Sequence, residues 1–464
     1  MKIDTYEHIF FLGIGGIGMS ALARFYRDKG QSVLGYDRIE TSLTRNLQEE
    51  GISILFIDGH EQLDTFGLTI APENTLVIYT PAIPLDSKLF LFFKEKHYDM
   101  IKRAKALGEI TADTINISIA GTHGKTTTSC LVSHLFSVGK LSSVSILGGI
   151  AANTNSNYSN NILQNQPLRS ITEADEFDRS FLQLSPTTAA ITSMDADHLD
   201  IYHTAKNLEN SFLDFARCLK TNGRLYIQES LQSVLNKAGI AHTTYGIERG
   251  QVCAKHVHLH DNEYVFDLYY NNDVVRHLKL GIQGRHNVEN AVVAAAIALD
   301  YGISEDNLRR GLLSFKGVKR RFEYVFKKPF IYIDDYAHHP TELNATIGSV
   351  REMYKNEHIT GVFQPHLYTR TRDFAKEFAH SLSALDTVLL LDIYPARELP
   401  IEGITSDIIL SDIDGPEKFL VTTDQVIDFI SEKPPDVLLT LGAGDIDRLV
   451  PTIQSTFNQT DSDE

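Results

Sequence analysis

Short apolar runs that end in glycine, hydroxyl or acidic residues recur along the whole chain, and their spacing predicts strands alternating with helices. His8–Leu12 reads as a strand feeding Gly13-Ile14-Gly15-Gly16-Ile17-Gly18, then a helix over 19–29 and a strand Ser32–Tyr36 that ends at Asp37. A further strand, Thr75–Tyr79, delivers Thr80-Pro81-Ala82 to the same edge. Ile115–Ala120 reads as a buried strand, followed by a glycine turn and a helix over 129–138. Strands over 170–174 and 188–193 each end in carboxylates. Residues 252–259, 264–270 and 274–280 alternate polar and apolar across turns at Asp261-Asn262 and Asn271-Asn272, the pattern of a small antiparallel sheet. Helices are expected over 287–301 and 305–313. Beyond them, four apolar strands (330–333, Ile359–Phe363, 387–391 and Val437–Leu441) again carry polar residues at their C-terminal ends.

This is an α/β chain in three expected segments, 1–111, 112–316 and 317–464, with Thr111-Ala112-Asp113-Thr114 at the first boundary and Phe315-Lys316-Gly317-Val318-Lys319 as a linker. Ligands of open parallel sheets bind beyond the C-terminal strand ends. The clusters Asp334-Asp335-Tyr336-Ala337-His338-His339, Gln364-Pro365-His366, Asp392 with Tyr394 and Arg397 nearby, and Gly442-Ala443-Gly444-Asp445 should therefore share one edge. The polar, acidic tail from Gln454 is expected to fray.

At 464 residues the chain should hold roughly two to four domains. Lys+Arg 43 against Asp+Glu 60 gives −17, which argues for no nucleic acid and no anionic membrane as partner, because phosphate affinity needs clustered positive charge. Anionic substrates must then be met by local donors. The three cysteines, Cys130, Cys218 and Cys253, lack metal-site spacing and read as reduced, which suits a cytoplasmic protein. Residues 9–23 are apolar enough to mimic a signal-peptide core, but Asp4 and Glu7 stand where a basic cluster would be needed. No segment reaches the length of a membrane span.

The candidate chemistry starts at Gly121-Thr122-His123-Gly124-Lys125-Thr126-Thr127-Thr128. A strand, a glycine turn and Lys-Thr at a helix start form a phosphate cradle, because glycines let the backbone approach the oxygens and free N–H groups face the anion. Lys125 supplies a point charge from an exposed loop, and Thr126 is placed to ligate Mg²⁺, so the loop reads as an ATP site. Only two residues separate its first glycine from Gly-Lys, fewer than in the common loop. Glu173-Ala174-Asp175-Glu176-Phe177-Asp178 is either a solvated acidic turn or a source of hard oxygen ligands for Mg²⁺; Asp195-Ala196-Asp197-His198-Leu199-Asp200 poses the same choice. The first loop, Gly13 to Gly18 with an acidic residue about twenty positions on, fits a dinucleotide site. Physically it recognises only a diphosphate at a helix N-terminus.

Several of these motifs together resemble the Mur ligases of peptidoglycan synthesis: the loop at 121–128, Glu173 to Glu176, Asp197-His198-Leu199-Asp200, His286-Asn287-Val288-Glu289-Asn290 and the run from Asp334 to Glu342. Gly13 to Met19 and Gln364 to Thr371 resemble the branch acting on the muramic acid end, as does His123. The resemblance runs in order from about residue 8 to Asp445. It implies a three-domain Mur ligase architecture, with an N-terminal Rossmann-like domain, a central P-loop ATPase domain carrying the small antiparallel sheet, and a C-terminal Rossmann-like domain. It further implies an ATP-dependent ligase of cell-wall precursor synthesis. ATP would phosphorylate the carboxylate of UDP-N-acetylmuramate, and the amine of L-alanine would attack the acyl phosphate, with Mg²⁺ offsetting the repulsion between anions. By resemblance Gly121, Thr122, His123, Gly124, Lys125, Thr126 and Thr127 hold ATP, Asn290 contacts adenine, and Arg321 with Asp335 closes the third domain on the nucleotide. Thr126, Glu173 and His198 hold metal. Gly15, Gly16, Ile17, Gly18, Met19 and Ser20 hold the UDP diphosphate, with Asp37 near the uridine and Thr80 at the same edge. Tyr336, His338, His366 and Arg370 meet substrate, and Lys125, His338 and Arg370 are the catalytic candidates. A monomer or homodimer is implied.

Two departures bear on this. Leu367 stands where many relatives carry Arg or Thr, so an anion contact there falls to Arg370 or Arg372. Asn210-Ser211-Phe212-Leu213-Asp214 holds no lysine for the carbamylated metal bridge some Mur ligases use. Three rival readings stay open: a ligase that reattaches recycled tripeptide to the same UDP-sugar, an NAD-dependent oxidoreductase on the first glycine loop, and a nucleotide-gated binding protein without chemistry.

Overall fold

The computed structural model describes residues 3–67, 70–197, 199–396 and 398–457. His198 and Arg397, both singled out above, and the end of the acidic tail lie outside the described residues.

Three sheets form. The first contains β1 (His8–Leu12), β2 (Ser32–Tyr36), β3 (Ser53–Leu55), β4 (Thr75–Tyr79) and β5 (Asp99–Lys102), in the order β3-β2-β1-β4-β5 and parallel throughout. The order reverses beside β1, so the turn after β1 opens at the switch point where doubly wound sheets take ligands. β1 is buried along its whole length, as expected of a central parallel strand.

The second sheet has ten strands: β6 (Ile115–Ala120), β7 (Ser143–Ala151), β8 (Ser156–Asn161), β9 (Arg169–Ala174), β10 (Thr188–Ile191), β11 (Arg224–Gln228), β12 (Thr243–Ile247), β13 (Val252–His260), β14 (Glu263–Tyr270) and β15 (Asp273–Leu280). Its order is β15-β14-β13-β12-β11-β10-β6-β9-β7-β8. β6 is thus flanked by β10 and β9, both parallel to it, so the loop leaving β6 lies between their C-terminal ends. The turns expected after β13 and β14 are present, with Asp261, Asn262, Asn271 and Asn272 all at positive φ, the geometry of a two-residue hairpin.

The third sheet holds β16 (Glu323–Phe326), β17 (Ile331–Asp335), β18 (Ile359–Phe363), β19 (Thr387–Leu390), β20 (Glu417–Leu420) and β21 (Val437–Leu441), in the order β16-β17-β21-β18-β19-β20. All neighbours are parallel except the β16 edge. The four polar clusters expected on one edge follow β17, β18, β19 and β21, whose C-terminal ends align in register: Asp335 and Phe363 both pair with Leu441, and Phe363 pairs with Leu390.

By contacts the chain divides into two compact units, Met1–Lys255 with Asp267–Arg276 and Asn290–Phe315, and His256–Phe266 with His277–Glu289 and Lys316–Glu464. The first unit unites the first expected segment with most of the second, while 256–266 and 277–289 of the second fall in the other unit. The reason is a shared core: Ile9, Phe11, Leu22 and Tyr26 pack in one cluster with Val144, Ile146 and Tyr158 of the second sheet. Arg24, 4% exposed, crosses the same seam, pairing with Glu50 at 2.8 Å and donating to the buried Asn157. No helix among the described residues is long and apolar enough to cross a membrane.

Candidate functional site

In the first unit the loop leaving β6 is held by residues at the C-terminal end of β10. Thr192 Oγ1 donates to Ala120 O at 3.1 Å and to His123 O. Ser193 Oγ accepts from His123 N at 2.8 Å and exchanges a hydrogen bond with Thr122 Oγ1 at 2.8 Å. Gly121, at φ +134, is required by this packing, since a Cβ there would lie 2.0 Å from Thr192 Oγ1. Gly124 caps the helix Lys125–Val138 at φ +81, with Asn290 Oδ1 where its Cβ would fall. The helix therefore begins at Lys125, four residues before the expected start, and its free N-terminal N–H groups face the loop. Asn290 sits against this phosphate loop. His123 Nε2 lies 3.3 Å from the Asp195 carboxylate. Thr192 and Ser193 were not singled out from the sequence; their signal was two hydroxyl residues closing a strand beside the loop strand.

The expectation that Lys125 projects from an exposed loop is overturned. Its side chain is 11% exposed and its Nζ lies 2.8 Å from Glu176 Oε2, with a further bond to Gly121 O. Glu176 is 1% exposed. Burial and the neighbouring Asp175 push the Glu176 carboxyl up, against the opposing pull of Lys125; burial pulls the Lys125 ammonium down, and Glu176 and Glu173 outweigh it and raise the group. A lysine buried to this degree is stabilised as the ammonium by such a partner.

Thr126 Oγ1 donates to Glu173 Oε2 at 2.8 Å, so the hydroxyl and carboxylate assigned to metal do converge. A hard-oxygen pair of this kind suits Mg²⁺, which typically takes few protein ligands beside phosphate and water oxygens. No group of three or more His, Cys, Asp and Glu is gathered for a metal among the described residues, and His198 lies outside them. Gly148 of β7 makes room for Glu173: a Cβ there would lie 2.1 Å from Glu173 Oε2.

At the first glycine loop Asp37 and Ser20 both hydrogen-bond within the chain. Asp37 Oδ2 accepts from Gly15 N at 2.8 Å and Oδ1 from Ile39 N at 3.2 Å, so its carboxylate shapes the loop. Ser20 is fully buried; its hydroxyl donates to Ile17 O and accepts from Asn157 Nδ2 at 2.9 Å. Met19 is likewise buried, whereas Gly15, Gly16, Ile17 and Gly18 retain partial exposure. Thr80 packs over Gly13, which takes φ +86 to make the turn.

In the second unit Tyr336, His338, His366 and Arg370 are brought together. His338 Nδ1 lies 3.0 Å from Tyr336 O and 3.1 Å from Glu342 Oε2. Two acceptors around Nδ1 place the proton there and leave Nε2 with the lone pair. The His366 ring is 6.0 Å from the His338 ring and stacks on Tyr394 at 5.7 Å. Arg370 Nη1 donates to His366 Nδ1 at 3.2 Å, which makes His366 Nε2 a donor. Leu367, buried at φ +73, forms the turn between them; a strained non-glycine turn is sustained by its surroundings, here Leu367 N donating to Tyr394 O at 2.9 Å. Arg372 turns away to Asp373, so of the two arginines left by the Leu367 departure it is Arg370 that faces the cluster.

Arg321 and Asp335 have separate tasks here. Arg321 pairs with Glu342 at 3.3 Å and lies over the Tyr336 ring at 4.9 Å. Asp335 accepts from Phe322 N at 2.8 Å, Ala337 N at 2.7 Å and Thr346 Oγ1 at 3.2 Å, which fixes the backbone entering Tyr336 and His338. Burial pushes its carboxyl up to about 6, against the pull of Arg321. Glu342, in the first turn of the helix Pro340–Met353, braces both His338 and Arg321, a task that the motif ending at this residue did not reveal.

His286 gives a pH signature to this unit. Burial, reinforced by Arg321, holds its imidazole down at about 4 against an ordinary 6.5, and Nδ1 has no hydrogen-bond partner among the described residues. The unfolded chain takes up the proton first, so stability from this group is present above pH 6.5 and is lost as pH falls toward 4. The expected loss is about 3 kcal/mol across that window. Thermal unfolding of wild type and His286→Gln between neutral pH and the lower limit should converge on acidification; parallel curves would contradict the assignment.

Comparison with known proteins follows the same outline. Three family models match in order: the Mur ligase family catalytic domain over residues 8–114, the Mur ligase middle domain over 119–298 and the Mur ligase glutamate ligase domain over 320–444. The chain is 45% identical over 463 residues to the UDP-N-acetylmuramate–L-alanine ligase of Christiangramia forsetii, covering 98% of each. It is 45% identical to the enzyme of that name from Porphyromonas gingivalis, covering 96% of this chain and 97% of the relative. The crystal structure of UDP-N-acetylmuramate–alanine ligase from Thermotoga maritima superposes with a TM-score of 0.80 at 27% identity, covering 97% of this chain and 99% of that one. A murein peptide ligase from Psychrobacter arcticus, at 21% identity and a TM-score of 0.70 over 98% and 99%, shares the fold.

Proposed function

The chain belongs to the Mur ligase family, and from that premise we propose that it joins L-alanine to the carboxylate of UDP-N-acetylmuramate with cleavage of ATP. The observation that carries the reading is the convergence of Thr126 and Glu173 beside a phosphate loop, in a chain aligned end to end with ligases of that name. A carboxylate is a poor acyl donor because oxide is a poor leaving group. Its oxygen attacks the terminal phosphorus of ATP, the bond to the bridging oxygen breaks, and ADP departs. The alanine nitrogen then attacks the acyl carbon, the carbon–oxygen bond to phosphate breaks, and inorganic phosphate leaves.

This chain's residues serve those steps by position and charge. The N–H groups at Gly124 and Lys125 cradle the phosphates, and Lys125, held at the loop by Glu176, is the cation that meets the terminal one. Thr126 and Glu173 would hold Mg²⁺, which supplies charge neutralisation between the two anions when bound. In the second unit His338 Nε2 accepts the proton lost by the amine, while Arg370 and the His366 Nε2–H stabilise negative charge on the transferring group. Gly15 to Gly18 meet the UDP diphosphate. Domain limits of 1–111, 112–316 and 317–464 fit these tasks.

Phosphate release with UDP-N-acetylmuramate, ATP, Mg²⁺ and a panel of amino acids and murein tripeptide tests the reading. Release dependent on L-alanine is expected; release only with tripeptide would move the chain to the recycling reaction. Arg370→Ala should lower kcat about 100-fold and leave the KM for ATP nearly unchanged. A variant that loses only ATP affinity would place Arg370 on the nucleotide.

A further inference from the structure

The first glycine loop has no cation of its own. Gly13 to Ser20 contains neither lysine nor arginine, and Asp37 sets a carboxylate against Gly15 N at 2.8 Å. A diphosphate arriving there meets a position that already carries negative charge, on a chain of net charge −17. A cation does reach the loop from elsewhere in the same unit. Arg103 opens the helix Arg103–Ala112, and its Nη1 lies so close to Gly18 that a Cβ built there would be 2.3 Å from it. Its Nη2 lies 3.2 Å from Asp175 Oδ2. Arg103, Gly18, Gly148, Glu173 and Asp175 together line one cavity of about 160 Å³. The cavity therefore runs from the glycine loop to the carboxylate assigned to metal, and its wall holds one guanidinium between them.

We propose that Arg103 is the residue that neutralises the diphosphate of the UDP-sugar, and that Asp175 holds its guanidinium in place before the ligand arrives. The assignment rests on the proposed function above. A guanidinium offers parallel N–H donors that match phosphate oxygens, and its side chain at 23% exposure is open to the cavity without being free to wander. Gly18 is part of the device, because any side chain there would displace Nη1 from the loop. A purely structural ion pair between Arg103 and Asp175 would give different results in one respect. It would affect every ligand of the site equally, whereas a diphosphate contact discriminates UDP from uridine.

Ligand-observed NMR titrations of UDP and uridine, without ATP or Mg²⁺, separate these. For Arg103→Ala the UDP affinity should fall about 10- to 100-fold with uridine affinity unchanged. Arg103→Lys should recover part of the loss, since it keeps the charge without the fork. Asp175→Asn should weaken UDP binding by less than Arg103→Ala does, because the guanidinium remains but is no longer held beside Gly18, and unchanged or tighter UDP binding in this variant would overturn the positioning role of Asp175. ATP binding by each Arg103 variant checks that the unit is folded. Wild type and Arg103→Ala binding UDP equally, or losing UDP and uridine in parallel, would overturn the role of Arg103 and leave the UDP site standing. Failure of wild type to bind UDP would instead overturn the reading of the loop itself.

Discussion

Lys125→Ala is expected to abolish turnover and, in the same variant, to destabilise the protein by about 3–5 kcal/mol. The first effect follows from the removal of the one side-chain charge that the phosphate loop directs at the terminal phosphate, with an expected fall in kcat of about 1000-fold or more. The second follows from what is left behind. Glu176 is 1% exposed and its carboxylate is paired at 2.8 Å with the ammonium that the substitution deletes. A buried carboxylate that loses its ammonium partner either stays charged at high cost or takes a proton, and burial already pushes this one upward. The double variant Lys125→Met/Glu176→Gln removes both charges and should regain most of the stability while remaining inactive. Chemical denaturation and phosphate release on the three proteins give the comparison. An active Lys125→Ala would overturn the ATP site, and a stable one would show that Glu176 has another partner in solution.

Glu173→Ala should raise the Mg²⁺ concentration needed for half-maximal activity by at least about 10- to 100-fold, the loss that even outer-shell changes around a metal produce. Glu173 Oε2 accepts from Thr126 Oγ1 at 2.8 Å, so the substitution takes away the charged member of the pair and leaves a neutral hydroxyl. Thr126→Ala should shift the titration less, because the carboxylate stays. Gly148→Ala reaches the same residue by another route: its new Cβ would fall 2.1 Å from Glu173 Oε2 and must push the carboxylate aside. The two variants should therefore share a raised Mg²⁺ requirement while melting near wild type. Normal Mg²⁺ titrations in both would make Glu173 a structural ligand of Thr126 alone.

The chain's own order carried most of the architecture. A strand, a glycine turn and a helix are local events, set by residues within about a dozen positions of each other, so β1, β2, β4, β6, β18 and β21 fall where their apolar runs place them. Parallel connection by helices then puts the polar residues after β17, β18, β19 and β21 on one edge. The family resemblance was legible for the same reason, because its motifs are contiguous. Short or polar strands were not: Ser53–Leu55 is only three residues long, Ser156–Asn161 is polar apart from Tyr158, and both are held by their neighbours in the sheet.

What the side chains do was decided elsewhere. Lys125 and Glu176 are 51 residues apart, Arg103 and Asp175 are 72 apart, and Asn157 meets Ser20 across 137. Asp37 illustrates the limit at closer range: its place in the sequence points to a ligand at the strand end, and only the folded chain shows that its carboxylate also accepts from the Gly15 and Ile39 N–H groups and so shapes the loop. Residue type and spacing determine which chemistry a chain can bring to a strand end. Whether a charge meets a ligand, a metal or another charge depends on which groups folding buries together, and that is a property of the packed structure because desolvation, unlike periodicity, has no range along the chain.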